Sequence, residues 1–105
     1  MSGLDNTSQT VRTTAATAVT MTANDYVVIF TSASAKTATL PSAALSIPGR
    51  IYAMVNTAAN AITVSAATGT VDGGATQTIA AGATGAYLTR TFINDGTNWF
   101  SLNNN

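Results

Sequence analysis

The chain contains no histidine, no cysteine and no glutamate, and only 8% of its 105 residues are charged. Without His and Cys, the usual ligand sets for zinc, iron and copper cannot form within one chain, and the commonest general base and the thiol nucleophile are missing. The four cations, Arg12, Lys36, Arg50 and Arg90, are scattered, whereas nucleic-acid binding needs clustered Lys and Arg. We therefore expect no enzyme, no catalytic residue, no metal site, no cofactor and no nucleic-acid partner.

Signals for export and membrane insertion are also missing. The first residues lack the basic region and apolar stretch of a secretory signal, and no run of about eighteen apolar residues predicts a transmembrane helix. Synthesis in the cytoplasm, with no membrane partner, is the expectation.

What the sequence has in excess is alanine and threonine, with 20 of each. Alanine offers little apolar area, so a domain of this length has a modest core, and there is no disulfide to supplement it. We expect association with other copies or with a larger assembly to complete the core.

Short runs of β-branched and aromatic residues alternate with turn signals throughout the chain, which is typical of an all-β fold. About eight strands are predicted, at residues 19–22, 26–31, 36–40, 51–56, 61–66, 77–80, 87–93 and 99–102. The Asp-Gly turns favour hairpins. The expected fold is a single antiparallel, jelly-roll-like β-sandwich.

Two of these strands, within residues 26–30 and 51–55, are continuously apolar. Such a strand is covered on both faces, so it lies at the centre of a packed sheet or its outer face meets another subunit. Other strands alternate, with Ile62 and Val64 expected to point inward and the neighbouring hydroxyls outward.

Residues 1–16 are polar and have no apolar period, so we interpret them as an extended N-terminal arm preceding a β-sandwich domain at residues 17–105. Within this arm, Leu4, Val11 and Arg12 are the candidates for docking on a partner.

Few side chains suggest a ligand site. The four aspartates are Asp5, Asp25, Asp72 and Asp95, and three of them lie in predicted turns, where a carboxylate accepts backbone N–H groups. Most aromatic residues lie in strands beside aliphatic ones and are expected in the core. Trp99 and Tyr87 are the candidates for contact with a ligand such as a sugar.

Six short motifs occur in a recognisable order: DYVVIF at 25–30, ATLP at 38–41, GRI at 49–51, NAITV at 60–64, VDG at 71–73 and NDGTNWF at 94–100. In this order they resemble a β-domain that recurs in tailed-bacteriophage fibre, spike and capsid-surface proteins, and the resemblance covers about residues 17–102. It implies a homotrimeric virion component and provides no catalytic motif.

We therefore expect a non-enzymatic virion protein, a trimeric capsid decoration, cement or head-fibre protein. Its arm would dock on the major capsid protein or another virion protein and its β-domain would project outward. The alternative is a receptor- or carbohydrate-binding module of a tail fibre or spike, with a host cell-surface glycan as its partner.

Overall fold

The protein is all-β, and the computed structural model describes residues 10–103. Nine strands occur in this range: β1 (Thr10–Thr14), β2 (Ala18–Thr20), β3 (Asp25–Phe30), β4 (Lys36–Leu40), β5 (Ile51–Asn56), β6 (Ile62–Ala66), β7 (Thr76–Ile79), β8 (Leu88–Asn94) and β9 (Trp99–Ser101). One turn of 3₁₀ helix, Ala43–Leu45, lies between β4 and β5. All eight predicted strands are confirmed to within two residues of each end.

The strands form two sheets. The five-stranded sheet has the order β1-β3-β5-β8-β9, and the four-stranded sheet has the order β2-β4-β6-β7. From β1 to β6 the chain alternates between the sheets, and each of β3 to β6 pairs in parallel with the strand two places earlier. These six strands therefore form three successive coils, each with one strand in either sheet.

The second and third coils are equivalent. Val27 lies opposite Ala53 in one sheet and Lys36 lies opposite Ile62 in the other, so both sheets repeat at a spacing of 26 residues. After β6 the chain reverses, and β7, β8 and β9 add antiparallel strands. One end of the sheets thus carries the first coil, and the other end carries the antiparallel strands.

The predicted antiparallel pairing, which a jelly-roll-like sandwich requires, is wrong for four of the seven strand pairs. The turns after β1, β3 and β5 carry the chain across to the opposite sheet instead of folding it back as a hairpin. A parallel neighbour needs such a crossover, and here the crossover contains a strand of the other sheet.

Within residues 10–103 the core is one cluster of fifteen buried apolar side chains, to which both sheets contribute. Its largest members are Trp99, Tyr52, Phe30, Phe92 and Met54 from the five-stranded sheet and Leu40, Ile62 and Ile79 from the other. The inward direction predicted for Ile62 and Val64 is confirmed, since both are fully buried.

The predicted arm lies partly outside the described residues. Its described portion includes β1, which is an edge strand of the five-stranded sheet and pairs with β3. Within the predicted arm, Thr10–Thr14 therefore belong to the sheet, and residues 1–9 lie outside the described residues.

Candidate interaction surface

The outer face of the five-stranded sheet is largely apolar. Residues opposite one another in a ladder share a face, so the pairings define three rows across this surface. The rows are Val11–Val27–Ala53–Thr91, Thr13–Ile29–Val55–Thr89 and Ile51–Ile93–Phe100. We call these eleven residues the apolar face; eight of them are apolar, three are threonine and none is charged.

The alternation of burial confirms which side chains of these strands face outward. In β5, Ile51, Ala53 and Val55 are partly exposed. The residues between them, Tyr52 and Met54, are buried in the core. At the two sides of the face, Val11 and Phe100 retain 67% and 40% of their exposure. Within the range 10–103, the continuously apolar strands are thus buried in the core on one side and partly exposed on the other.

The outer face of the four-stranded sheet has the opposite chemistry. Its two rows are Ala18–Thr37–Thr63–Thr78 and Thr20–Thr39–Ser65–Thr76, which contain seven hydroxyl side chains and one alanine. We call these eight residues the hydroxyl face. Hydroxyls keep a sheet surface hydrated, whereas a contiguous apolar surface indicates a place of association. The apolar face is therefore the candidate interaction surface.

The arm candidates have different surroundings. Val11 is on the apolar face, whereas Arg12 forms a bidentate pair within the chain, with its Nε and Nη2 donating to the two carboxylate oxygens of Asp25 at 3.2 and 2.8 Å. Asp25 also accepts the backbone N–H of Thr22. This pair fastens β1 to β3, so Arg12 has a structural partner. Leu4 lies outside the described residues.

Trp99 presents no ring face to solvent. It is fully buried, its Nε1 donates to the Pro41 carbonyl oxygen at 2.9 Å, and its ring centroid lies 5.6 Å from that of Tyr52. Tyr87 is 56% exposed and precedes β8, while Trp99 pairs with the last residue of that strand. The structure therefore places the two ligand candidates at opposite ends of β8 and forms no shared stacking platform from them.

A cleft of about 370 Å³ opens beside the loop between β4 and β5. It is lined by Met21, Ala23, Pro41, Ser42, Ser46, Ile47, Arg50 and Tyr52. The Arg50 guanidinium lies 4.4 Å from the Tyr52 ring centroid and donates to the backbone oxygens of Ala23 and Asp25. Sequence reasoning missed this cleft because its residues come from three separate segments.

Lys36 is a second feature that the sequence did not reveal. Its side chain is 1% exposed, and its Nζ is within hydrogen-bond distance of four backbone oxygens, those of Ser32, Ser34, Ala59 and Asn60, at 2.5 to 3.2 Å. Desolvation lowers the pKa of this ammonium. Because the four oxygens belong to the turns after β3 and β5, Lys36 joins two neighbouring coils.

The predicted roles of Asp72 and Asp95 as turn residues are confirmed. Asp95 Oδ1 accepts the backbone N–H groups of Thr97 and Asn98 at 2.9 and 2.8 Å. Asp72 accepts the backbone N–H and the hydroxyl of Ser101 and the amide of Gln77, and Arg90 Nη1 is 3.8 Å away. Asp72 thereby connects the turn after β6 to β9.

Acid should weaken the fold through Asp72. Desolvation alone would raise the pKa of this carboxyl, but the hydrogen bonds from Ser101 and Gln77 and the charge of Arg90 outweigh it, so its pKa lies below the usual 3.8. The stabilisation is present above the unfolded-state value and is lost as pH falls through the lowered pKa. Urea unfolding at neutral and acid pH should show a smaller loss of stability on acidification for Asp72→Asn than for wild type. Equal losses would contradict this role.

Within residues 10–103, no group of three His, Cys, Asp or Glu residues is placed to hold a metal ion. In the same range, no helix has the length and apolar character needed to cross a membrane. The fold and its surfaces define a small all-β protein with two mixed sheets and one uncharged, apolar outer face. No family model, curated protein or solved structure matches the chain.

Proposed function

We propose that this chain is a non-enzymatic structural protein of a bacteriophage virion, a homotrimeric capsid decoration or head-fibre protein. It is made in the host cytoplasm, attaches to the particle through its N-terminal segment and projects the two-sheet body outward. The sandwich arrangement of the sheets and the trimeric state are parts of this proposal.

The observation that carries the proposal is the apolar face. A contiguous apolar sheet surface is costly to leave in water, and in an obligate assembly such a surface resembles half of a domain core. The alanine-rich composition of the chain points the same way, because alanine offers little apolar area and association would add buried apolar area.

The layout of the chain supports attachment at the first coil. β1 and β2 are edge strands at the same end of the two sheets, and the N-terminal segment enters the fold at β1. An edge strand has unpaired backbone groups that can bond to a further strand. A partner bound there would leave the antiparallel strands β7 to β9 at the opposite end of both sheets.

Particle composition tests this function. Virus particles purified from the source that encodes the chain should contain it in a constant ratio to the major capsid protein, as measured by quantitative mass spectrometry of density-gradient fractions. Removing residues 1–9 should leave the chain folded, by circular dichroism, but absent from the particles. A chain that stays in the soluble fraction while particles band without it would contradict the proposal.

A further inference from the structure

We infer that the apolar face is where copies of this chain meet, with the middle strand β5 closest to a threefold axis. This inference rests on the proposed function, since it deepens the homotrimer proposed above by assigning its interface. The partner is another copy of this chain, which presents the same face.

The absence of charge on the apolar face supports a second copy of this chain as the partner. None of the eleven residues of the apolar face carries a charge, and the charged residues of the same strands are otherwise engaged: Arg12 pairs with Asp25, and Arg90 is buried at the other side of the sheet beside Ser101 and Asp72. Identical faces therefore meet without like-charge repulsion, and a strongly charged partner would find no complementary group. Self-association is the arrangement that this composition favours.

The apolar face is large enough to form a specific interface. Strands are spaced about 4.8 Å apart and rise about 3.3 Å per residue, so the 27 residues of β1, β3, β5, β8 and β9 cover about 430 Å² in projection. Protruding side chains have more accessible area than their projection. The three faces that close around one axis in a trimer therefore bury about 1,300 Å² in total, which is at the low end of the range for specific interfaces.

The width of the face suits three copies. Five strands span about 24 Å, and three such faces arranged as an equilateral triangle would place the axis about 7 Å from each sheet. Sheets that pack face to face are about 10 Å apart, so each contributes about 5 Å of side chain. The aliphatic residues Ile51, Ala53 and Val55 on β5 are thus the ones that reach closest to the axis.

The hydroxyl face provides matched controls for a test. Val55 lies on the central strand of one sheet, and Thr63 lies on β6, between β4 and β7 of the other. We would measure the mass of wild type, Val55→Lys and Thr63→Lys by analytical ultracentrifugation over a wide range of concentrations. The expected result is a trimer for wild type and Thr63→Lys and a monomer for Val55→Lys, because three ammonium groups cannot be buried at one axis.

The possible unexpected results separate a wrong interface from a wrong oligomeric state. If wild type and Val55→Lys are both trimers, the assigned face is wrong while the homotrimer stands. If wild type is a monomer at all concentrations, the homotrimer fails and the interface with it. Should Val55→Lys not fold, the double variant Ile29→Thr with Val55→Thr would convert the centre of the apolar face to hydroxyls; it should weaken the trimer, and unchanged association would overturn the inference.

Cysteine labelling provides a second readout that does not perturb the face with charge. Because the chain has no cysteine, Ala53→Cys and Thr63→Cys each introduce a single thiol. In the trimer the thiol at position 53 should react at least about tenfold more slowly than the thiol at position 63, since labelling then requires dissociation. Equal rates at concentrations where the protein is trimeric would overturn the inference.

Discussion

Replacing Trp99 by alanine should lower the free energy of unfolding by about 3–5 kcal/mol, the usual cost of deleting a large buried aromatic side chain. Trp99 has no solvent exposure and lies against the ring of Tyr52. The substitution leaves a cavity between the sheets and also removes the hydrogen bond to the Pro41 carbonyl oxygen, which then lacks that donor. Urea or thermal unfolding followed by circular dichroism measures this change.

Two further variants separate the loss of core packing from the loss of the indole N–H and from the removal of an aromatic ring as such. Trp99→Phe keeps most of the ring volume but loses the indole N–H. Its free energy of unfolding should therefore lie between those of wild type and Trp99→Ala. Tyr87→Ala removes an exposed aromatic ring and should change stability by less than about 0.5 kcal/mol. If Trp99→Ala were as stable as Tyr87→Ala, Trp99 would not be part of the core, and its candidacy as a ligand contact would return.

Replacing Gly82 by alanine should cost about 3 kcal/mol, because the new methyl group has no space. A Cβ at this position would overlap the carbonyl oxygen of Asn56 and come within 2.9 Å of its carbonyl carbon. Those atoms belong to backbone that cannot easily shift, since Nδ2 of the Asn56 side chain donates to the backbone oxygens of Asn60 and Ala80 at 2.9 and 3.0 Å.

Gly74→Ala is the matched control for this prediction. At Gly74 the nearest atoms to an added Cβ are 3.7 and 3.8 Å away, which is ordinary van der Waals contact. The denaturation midpoint of Gly74→Ala should therefore stay close to that of wild type. A Gly82→Ala variant with the same midpoint as Gly74→Ala would show that the approach of Gly82 to Asn56 is not tight in the protein.

The positions of the strands could be predicted because they depend on local sequence. Runs such as residues 26–31 and 51–56 combine β-branched and aromatic residues, and the turns between strands contain Asn, Asp, Gly and Pro. The strand at Thr10–Thr14 was missed because its five residues include one aliphatic side chain, Val11. Its place at the edge of a sheet is secured by pairing with β3 and by the Arg12–Asp25 pair, which are non-local contacts.

Strand direction and sheet membership could not be predicted in the same way. A turn such as 32–35 permits both a hairpin and a crossing to the other sheet, and the choice depends on which apolar faces meet across the core. Lys36 illustrates the difficulty, because its four backbone acceptors come from turns up to 24 residues away in sequence. In the sequence it is an ordinary lysine at the start of a Thr-rich strand.

The candidate surface was only partly visible in the sequence. Continuous apolar runs in β3 and β5 predicted coverage on both faces, and they left open whether the outer cover is the same chain or another subunit. The ladders resolve one part of this question, since they align Val27 with Ala53 and Ile29 with Val55 to form continuous rows. Over residues 10–103, the inner side of these strands is buried in the core and the outer side is partly exposed.

The mass of the purified wild-type chain in solution tests the central claim most directly, the claim that this chain is completed by other copies of itself. Sedimentation equilibrium at concentrations from nanomolar to micromolar should give three times the chain mass of 10.6 kDa at the upper end of the range. A single species of 10.6 kDa at every concentration would contradict the account.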